Sequence, residues 1–158
     1  MEKKTPMKIQ VENRQAQIKI NRKKLRNTVL KIFKILDCPE NEISICLTDD
    51  KNIKQLNKEY LGKDKATNVL SFSLQEGEYG TINPLALGDV VISVDTAQKD
   101  AKKGHLTLEQ EIDFLLIHGI LHLLGYEHEN TSDQETKKMR RKEKEIFNII
   151  HVRDKIFI

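Results

Sequence analysis

Apolar positions along the chain fall into two patterns, short alternating runs and longer stripes spaced three and four apart. Ile9 to Ile20 contains alternating stretches and predicts an opening strand. Asn21 can cap a helix whose stripe is Leu25, Val29, Ile32, Phe33 and Leu36, and Asp37-Cys38-Pro39 ends it, because a proline disfavours helix at the residue before it. Ile43 to Leu47 alternates as a strand. Asp49 or Asp50 then caps a short helix through Ile53, Leu56 and Tyr60, stopped by Gly62. Thr67 to Ser73 and Gly88 to Val94 read as strands. Between them Gln75 to Leu87, with Gly77, Gly80 and Pro84, reads as a long loop and the most mobile element. A helix runs from Asp95 to about Lys103 and stops at Gly104. Thr107 to Gln110 is a capping box opening a helix whose apolar face holds Ile112, Leu115, Leu116 and Leu123. Ser132 to Glu135 is a second one. It opens a last long helix with Met139, Ile146 and Ile150 facing inward.

Strands and helices mix without strict alternation. The expected class is α+β, a single small mixed sheet packed against helices. A length of 158 residues fits one domain, residues 1–158, able to bury a core without disulfides or a structural metal.

Apolar residues make up 38% of the chain and charged residues 32%, which predicts a highly charged surface around a modest core. No apolar run approaches the roughly 20 residues of a membrane span, and no secretory signal is visible. The expectation is a cytoplasmic protein with no membrane partner and with free thiols at Cys38 and Cys46. The net charge is only +3, but it is unevenly placed. Met1 to Lys34 holds eleven Lys and Arg against Glu2 and Glu12. A second basic run is Lys137, Lys138, Arg140, Arg141, Lys142 and Lys144. Such asymmetry suits a polyanion; the plainer reading is a solvated helix face.

The chemistry concentrates in His118-Gly-Ile-Leu-His122-Leu-Leu-Gly125-Tyr-Glu-His128, an HxxxHxxxxxH motif holding three of the five histidines. His118 and His122 sit one helical turn apart, so their rings project from one face. Gly125 can supply the left-handed residue that ends the helix, and the returning chain can bring His128 toward the pair. Three nitrogens with an open fourth position are the pattern of catalytic zinc; structural zinc normally has four protein ligands. The spacing also matches the zinc-peptidase pattern HExxHxxGxxH, but Gly119 stands where that chemistry needs a glutamate base. Glu143 lies on the inward stripe of the last helix between Met139 and Ile146, where a carboxylate needs a partner. It is either the acceptor for the free ring N–H of a metal-bound histidine or half of a salt bridge at the rim of the stripe. His105, in a loop, and His151, near a frayed C-terminus, are read as unrelated to the metal.

These motifs resemble the YbeY family, bacterial metal-dependent endoribonucleases of ribosomal RNA maturation. The family signature HGxLHLxGYDH appears as HGILHLLGYEH over residues 118–128, with Glu127 in place of the usual Asp. Leu56-Asn57 with Tyr60, Lys63-Asp64-Lys65, Thr67 to Phe72, Gly88-Asp89, Met139 and Glu143 also fit, in order, from about Ile43 to Ile150. The resemblance implies one zinc ion held by His118, His122 and His128 in a cleft beside the sheet, with nickel or another divalent metal possible in vitro. It implies single-strand-specific cleavage of RNA by a zinc-activated water or hydroxide, the partners being ribosomal RNA or its precursors and possible ribosome or ribosome-assembly proteins. Asp89, Asn68 and Ser71 are cleft candidates whose plainer readings are a turn or capping acid and local pairing. The arginine usual after the family tyrosine is here Leu61, and the family prolines are Ala66 and Ser73. Lys63 or Lys65 can supply charge in the arginine's place, but as a point charge and not a bidentate fork; the plainer reading is that both are solvated. Leu61 is the best support for an alternative, a non-catalytic zinc-containing assembly factor that binds RNA. A metallopeptidase ranks third.

Overall fold

The computed structural model describes residues 8–74, 84–126 and 132–156, with side chains as far as 151. Among the described residues there are four strands and five helices. In chain order they are β1 (Ile9–Asn13), α1 (Arg22–Ile35), β2 (Glu42–Thr48), α2 (Asp50–Leu61), β3 (Val69–Ser73), β4 (Ala86–Ser93), α3 (Val94–Lys103), α4 (Leu108–Leu123) and α5 (Asp133–Ile156). The strands form one mixed sheet in the order β1-β2-β4-β3. β1 and β4 run parallel to β2, and β3 returns antiparallel along β4. This is the α+β arrangement that the unalternating pattern predicts. No described helix is long and apolar enough to cross a membrane.

The opening strand is shorter than the alternation from Ile9 to Ile20 suggests. It ends at Asn13 because Gln15 braces a turn: its amide donates to Asn13 Oδ1 and the Ile18 carbonyl, and its carbonyl oxygen accepts the Ile18 N–H. The third strand begins at Val69, not Thr67. At the other end of the expected loop, Ala86 and Leu87 already belong to β4. Leu87 is the extra residue of a bulge between the Glu42–Ala86 and Ile43–Gly88 pairs. Gly88 permits it: at φ +142°, an added Cβ would lie 2.0 Å from the Phe72 carbonyl oxygen. The expectation of mobility falls on residues 75–83, outside the described residues. Val94 opens α3, because the Ser93 hydroxyl caps that helix at the Thr96 N–H.

Two clusters divide the core across the sheet. The larger joins α1, α4 and α5 to Ile9, Val11, Ile43, Ile45, Leu47, Val90 and Ile92. The smaller, on the opposite face, packs Ile53 of α2 against Leu70 and Val91, with Cys46, Leu56 and Phe72 at its edge. Tyr60 lies outside α2's buried stripe, 65% exposed, with its ring edge-on to Phe72 at 5.3 Å. Three of the predicted caps hold in full, and at the second expected capping box the Glu135 N–H donates to Ser132 Oγ at 3.4 Å. Asn21 accepts from the Lys24 N–H, Asp49 from the Asn52 N–H, and Thr107 and Gln110 form the reciprocal capping box of α4.

Candidate metal centre

α4 is a central helix and not an amphipathic surface one. From Glu111 to Leu123 every residue is buried except Phe114, His118 and His122. These three are spaced four apart and so form one line along the helix. The sequence predicts one apolar face; the structure buries all faces but that line, against the sheet, α1, α3 and α5. Gly125 (φ +95°) ends α4 as expected. Its N–H donates to the His122 carbonyl and the Tyr126 N–H to the Leu121 carbonyl, the paired bonds of a left-handed helix stop.

Gly119 has a role the sequence does not reveal. A Cβ there would lie 2.9 and 3.0 Å from the two methyls of Val90 and 3.2 Å from Ser71 Oγ. α4 therefore approaches β3 and β4 so closely that any side chain after His118 would have to displace Val90. The glutamate of the peptidase pattern is disfavoured by packing as well as absent from the sequence.

On the exposed line, His118 Nδ1 lies 3.0 Å from Glu143 Oε1. Glu143 is 6% exposed, carried on α5 between Met139 and Ile146, which are fully buried. A carboxylate accepts, so a neutral His118 ring carries its proton on Nδ1 and leaves the lone pair on Nε2. That lone pair faces His122 Nε2 at 3.0 Å, with the ring centroids 4.5 Å apart at 72°. Of the two readings of Glu143, the geometry matches the one in which it orients an imidazole. Two imidazole nitrogens converging from one helix, one with its tautomer set by a buried carboxylate, suit a divalent cation such as zinc.

His128, the third expected ligand, lies outside the described residues, as does Glu127. Among the described residues no group of three or more His, Cys, Asp or Glu side chains gathers as a metal site.

The remaining candidates are placed elsewhere. Ser71 Oγ donates to the Gly119 carbonyl at 3.4 Å, a local pairing at the α4 contact. Asn68 Nδ2 donates to Asp100 Oδ2 of α3 at 3.3 Å. Asp89 pairs with Phe72 in the sheet and lies with Cys46, Leu56, Tyr60 and Val91 along a groove on the α2 side, where burial pushes its carboxyl pKa up. Strand alternation decides this: Val90 faces α4, so Asp89 faces away from the histidine pair and does not line a cleft with it. Lys63 and Lys65 are exposed on the turn after α2, joined to each other and to Asn57 through backbone atoms. Leu61 is 53% exposed beside them.

His151 departs from expectation. It lies within α5, packs on the Phe147 ring at 4.6 Å and places Nε2 3.0 Å from Asp113 Oδ2 of α4. Sequence reasoning passed over Asp113. The available signal was a carboxylate inside the apolar run Ile112 to Ile117. Burial, then the Glu109 carboxylate, push the Asp113 carboxyl up to about 7, against the opposing pull of the Thr28 hydroxyl, Lys24 and Lys31.

Compared with known proteins, residues 10–151 match the family model described as endoribonuclease YbeY. The chain belongs to the endoribonuclease YbeY family. The endoribonuclease YbeY of Syntrophus aciditrophicus is 48% identical over 145 residues, 92% of this chain and 91% of that one. That of Geobacter metallireducens is 44% identical over 144 residues, 91% and 96% of the two chains. Among solved structures, the solution structure of TM1509 from Thermotoga maritima superposes with a TM-score of 0.62 at 28% identity, covering 89% of this chain and 87% of that one. The YbeY match spans the elements that carry His118, His122 and Glu143.

Proposed function

We propose that the protein is a metal-dependent endoribonuclease of ribosomal RNA maturation, working on single-stranded RNA in the cytoplasm, with one zinc ion bound by His118, His122 and His128. The observation that carries the reading is the His118–His122 pair on the one solvent-reachable line of α4, held by Glu143, in a chain of the endoribonuclease YbeY family. Glu143 keeps the His118 proton on Nδ1 and so presents Nε2 outward. The tight α4–sheet contact at Gly119 fixes the helix that carries both rings. When bound, the metal supplies Lewis acidity, polarising a phosphoryl oxygen and activating water at neutral pH. Imidazole ligands also suit nickel, copper and iron, so the metal in the cell follows supply as well as site chemistry.

The test is cleavage of ribosomal precursor RNA by metal-loaded protein, with His122→Ala purified in parallel. Cleavage by the wild type and none by the variant supports the enzyme. Equal background from both, with the metal shown bound to the wild type, supports the second reading, a zinc-containing assembly factor that binds RNA without turnover. Leu61, in place of the family arginine, is the observation that favours it.

A further inference from the structure

The buried stripe of α5 carries Glu143 to His118, and beside that stripe runs a second one of opposite character. Lys137, Arg140, Arg141 and Lys144 stand at i, i+3, i+4 and i+7, all exposed. At 3.6 residues per turn, Arg140 lies about 60° around the helix from Glu143, with Lys144 at about 100°, Lys137 at about 120° and Arg141 at about 160°. All four fall on the same side. The other flank differs: Lys142 lies 3.9 Å from Glu145, and Lys138 sits 6.0 Å from the centre of the Tyr126 ring.

Among the described residues none of the four stripe cations has an acidic partner within ion-pair distance. Glu143, three positions after Arg140, is committed to His118, and Glu145 leans to Lys142. Each cation instead has at least two like-charged neighbours three or four positions away, a spacing that repels on an isolated helix. Asp133 and Glu145 stand four positions from Lys137 and Arg141, but neither is within ion-pair distance of them. An anion laid along the stripe would remove that repulsion. Seven helical steps span about 10 Å, enough for two or three phosphates of a single strand.

We propose that Lys137, Arg140, Arg141 and Lys144 track the backbone phosphates of single-stranded RNA and lead it across α5 to His118 and His122. The proposal rests on the endoribonuclease reading and adds the substrate path to it. Arginine at the two middle positions favours phosphate, since its guanidinium can bind two oxygens at once. The contacts go to the backbone, so they position RNA without reading its sequence.

The test uses the full, metal-loaded chain and a fluorescent single-stranded RNA. Salt-dependent binding and cleavage are measured for wild type, for the variant Lys137→Gln, Arg140→Gln, Arg141→Gln and Lys144→Gln combined, and for a control that neutralises Lys23, Lys31 and Lys34 of α1. Each lost phosphate contact lowers the slope of log affinity against log salt by about 0.7. Loss of two or three contacts therefore flattens it by about 1.4 to 2.1. KM rises at least about tenfold at moderate salt with kcat near wild type, because the histidines are untouched. A charge-conserving variant, Lys137→Arg, Arg140→Lys, Arg141→Lys and Lys144→Arg combined, keeps the wild-type slope; its failure to do so overturns the electrostatic role. An unchanged slope and KM in the glutamine variant, or an equal loss in the α1 control, overturns the stripe while leaving the enzyme standing. A wild type that neither binds nor cuts RNA overturns both.

Discussion

α4 and α5 are joined by two histidine–carboxylate pairs with the same 3.0 Å separation and opposite purposes. In one, the histidine is on α4 and the acid on α5: His118 with Glu143. In the other the roles are exchanged: Asp113 on α4 and His151 on α5. The His118 side chain is 32% exposed and its second nitrogen meets another imidazole. The His151 side chain is 14% exposed and stacked on Phe147, and Asp113 beside it is 7% exposed. The chemistry of a pair thus does not say what the pair is for. An accessible ring nitrogen next to a second ligand-type nitrogen makes a candidate site; a sealed contact of the same groups packs two helices together.

The sharpest test compares activity after losing each histidine. His118→Ala lowers RNA cleavage about a thousandfold or more, and it also lowers the urea midpoint because Glu143 loses its imidazole partner. His151→Ala removes a mostly buried ring packed on Phe147, lowers stability by about 1–3 kcal/mol and leaves cleavage at saturating metal within a few-fold. Matching losses of activity in both variants would erase the distinction. Next, Glu143→Gln keeps the volume but not the charge that holds the Nδ1 proton. Metal affinity, read by competition with a chromophoric chelator, falls about 10- to 100-fold. Gly119→Ala follows. Its Cβ meets Val90 in the core, and denaturation should show a loss of about 1–3 kcal/mol. The last test is Asp113→Asn, read through pH and not through a single midpoint. The folded chain holds the Asp113 proton to about pH 7, while the ordinary value is 3.8. The folded state therefore binds more protons between those values, and this group's contribution to stability declines as pH rises from about 4 toward 7. Urea midpoints across that range should lose this decline in the asparagine variant.

Parts of the site were legible because they depend on spacing alone. His118 and His122 share a line because four residues make about one turn, and Gly125 stops the helix because its positive φ suits a residue without Cβ. The inward position of Glu143 followed from the stripe of Met139, Ile146 and Ile150. Its partner did not, because only the packing of α5 on α4 chooses which polar atom it meets. Asp89 shows the same limit from the other side. A motif names the residue, but strand parity set by the bulge at Leu87 turns it toward α2 and away from the histidines.

By itself, then, the sequence determined the helices, most of their caps, the last three strands to within two residues and the histidine line, since all of these are local properties of short windows, while the opening strand ends seven residues before the alternation does. Tertiary structure alone decided three things. α4 is buried on every side but one; Gly119 is needed for helix–sheet contact and not merely a missing base; and two like pairs of side chains became a candidate metal centre and a staple. Each depends on groups far apart in the chain meeting at close range. Burial and the identity of the facing atom come only from that meeting.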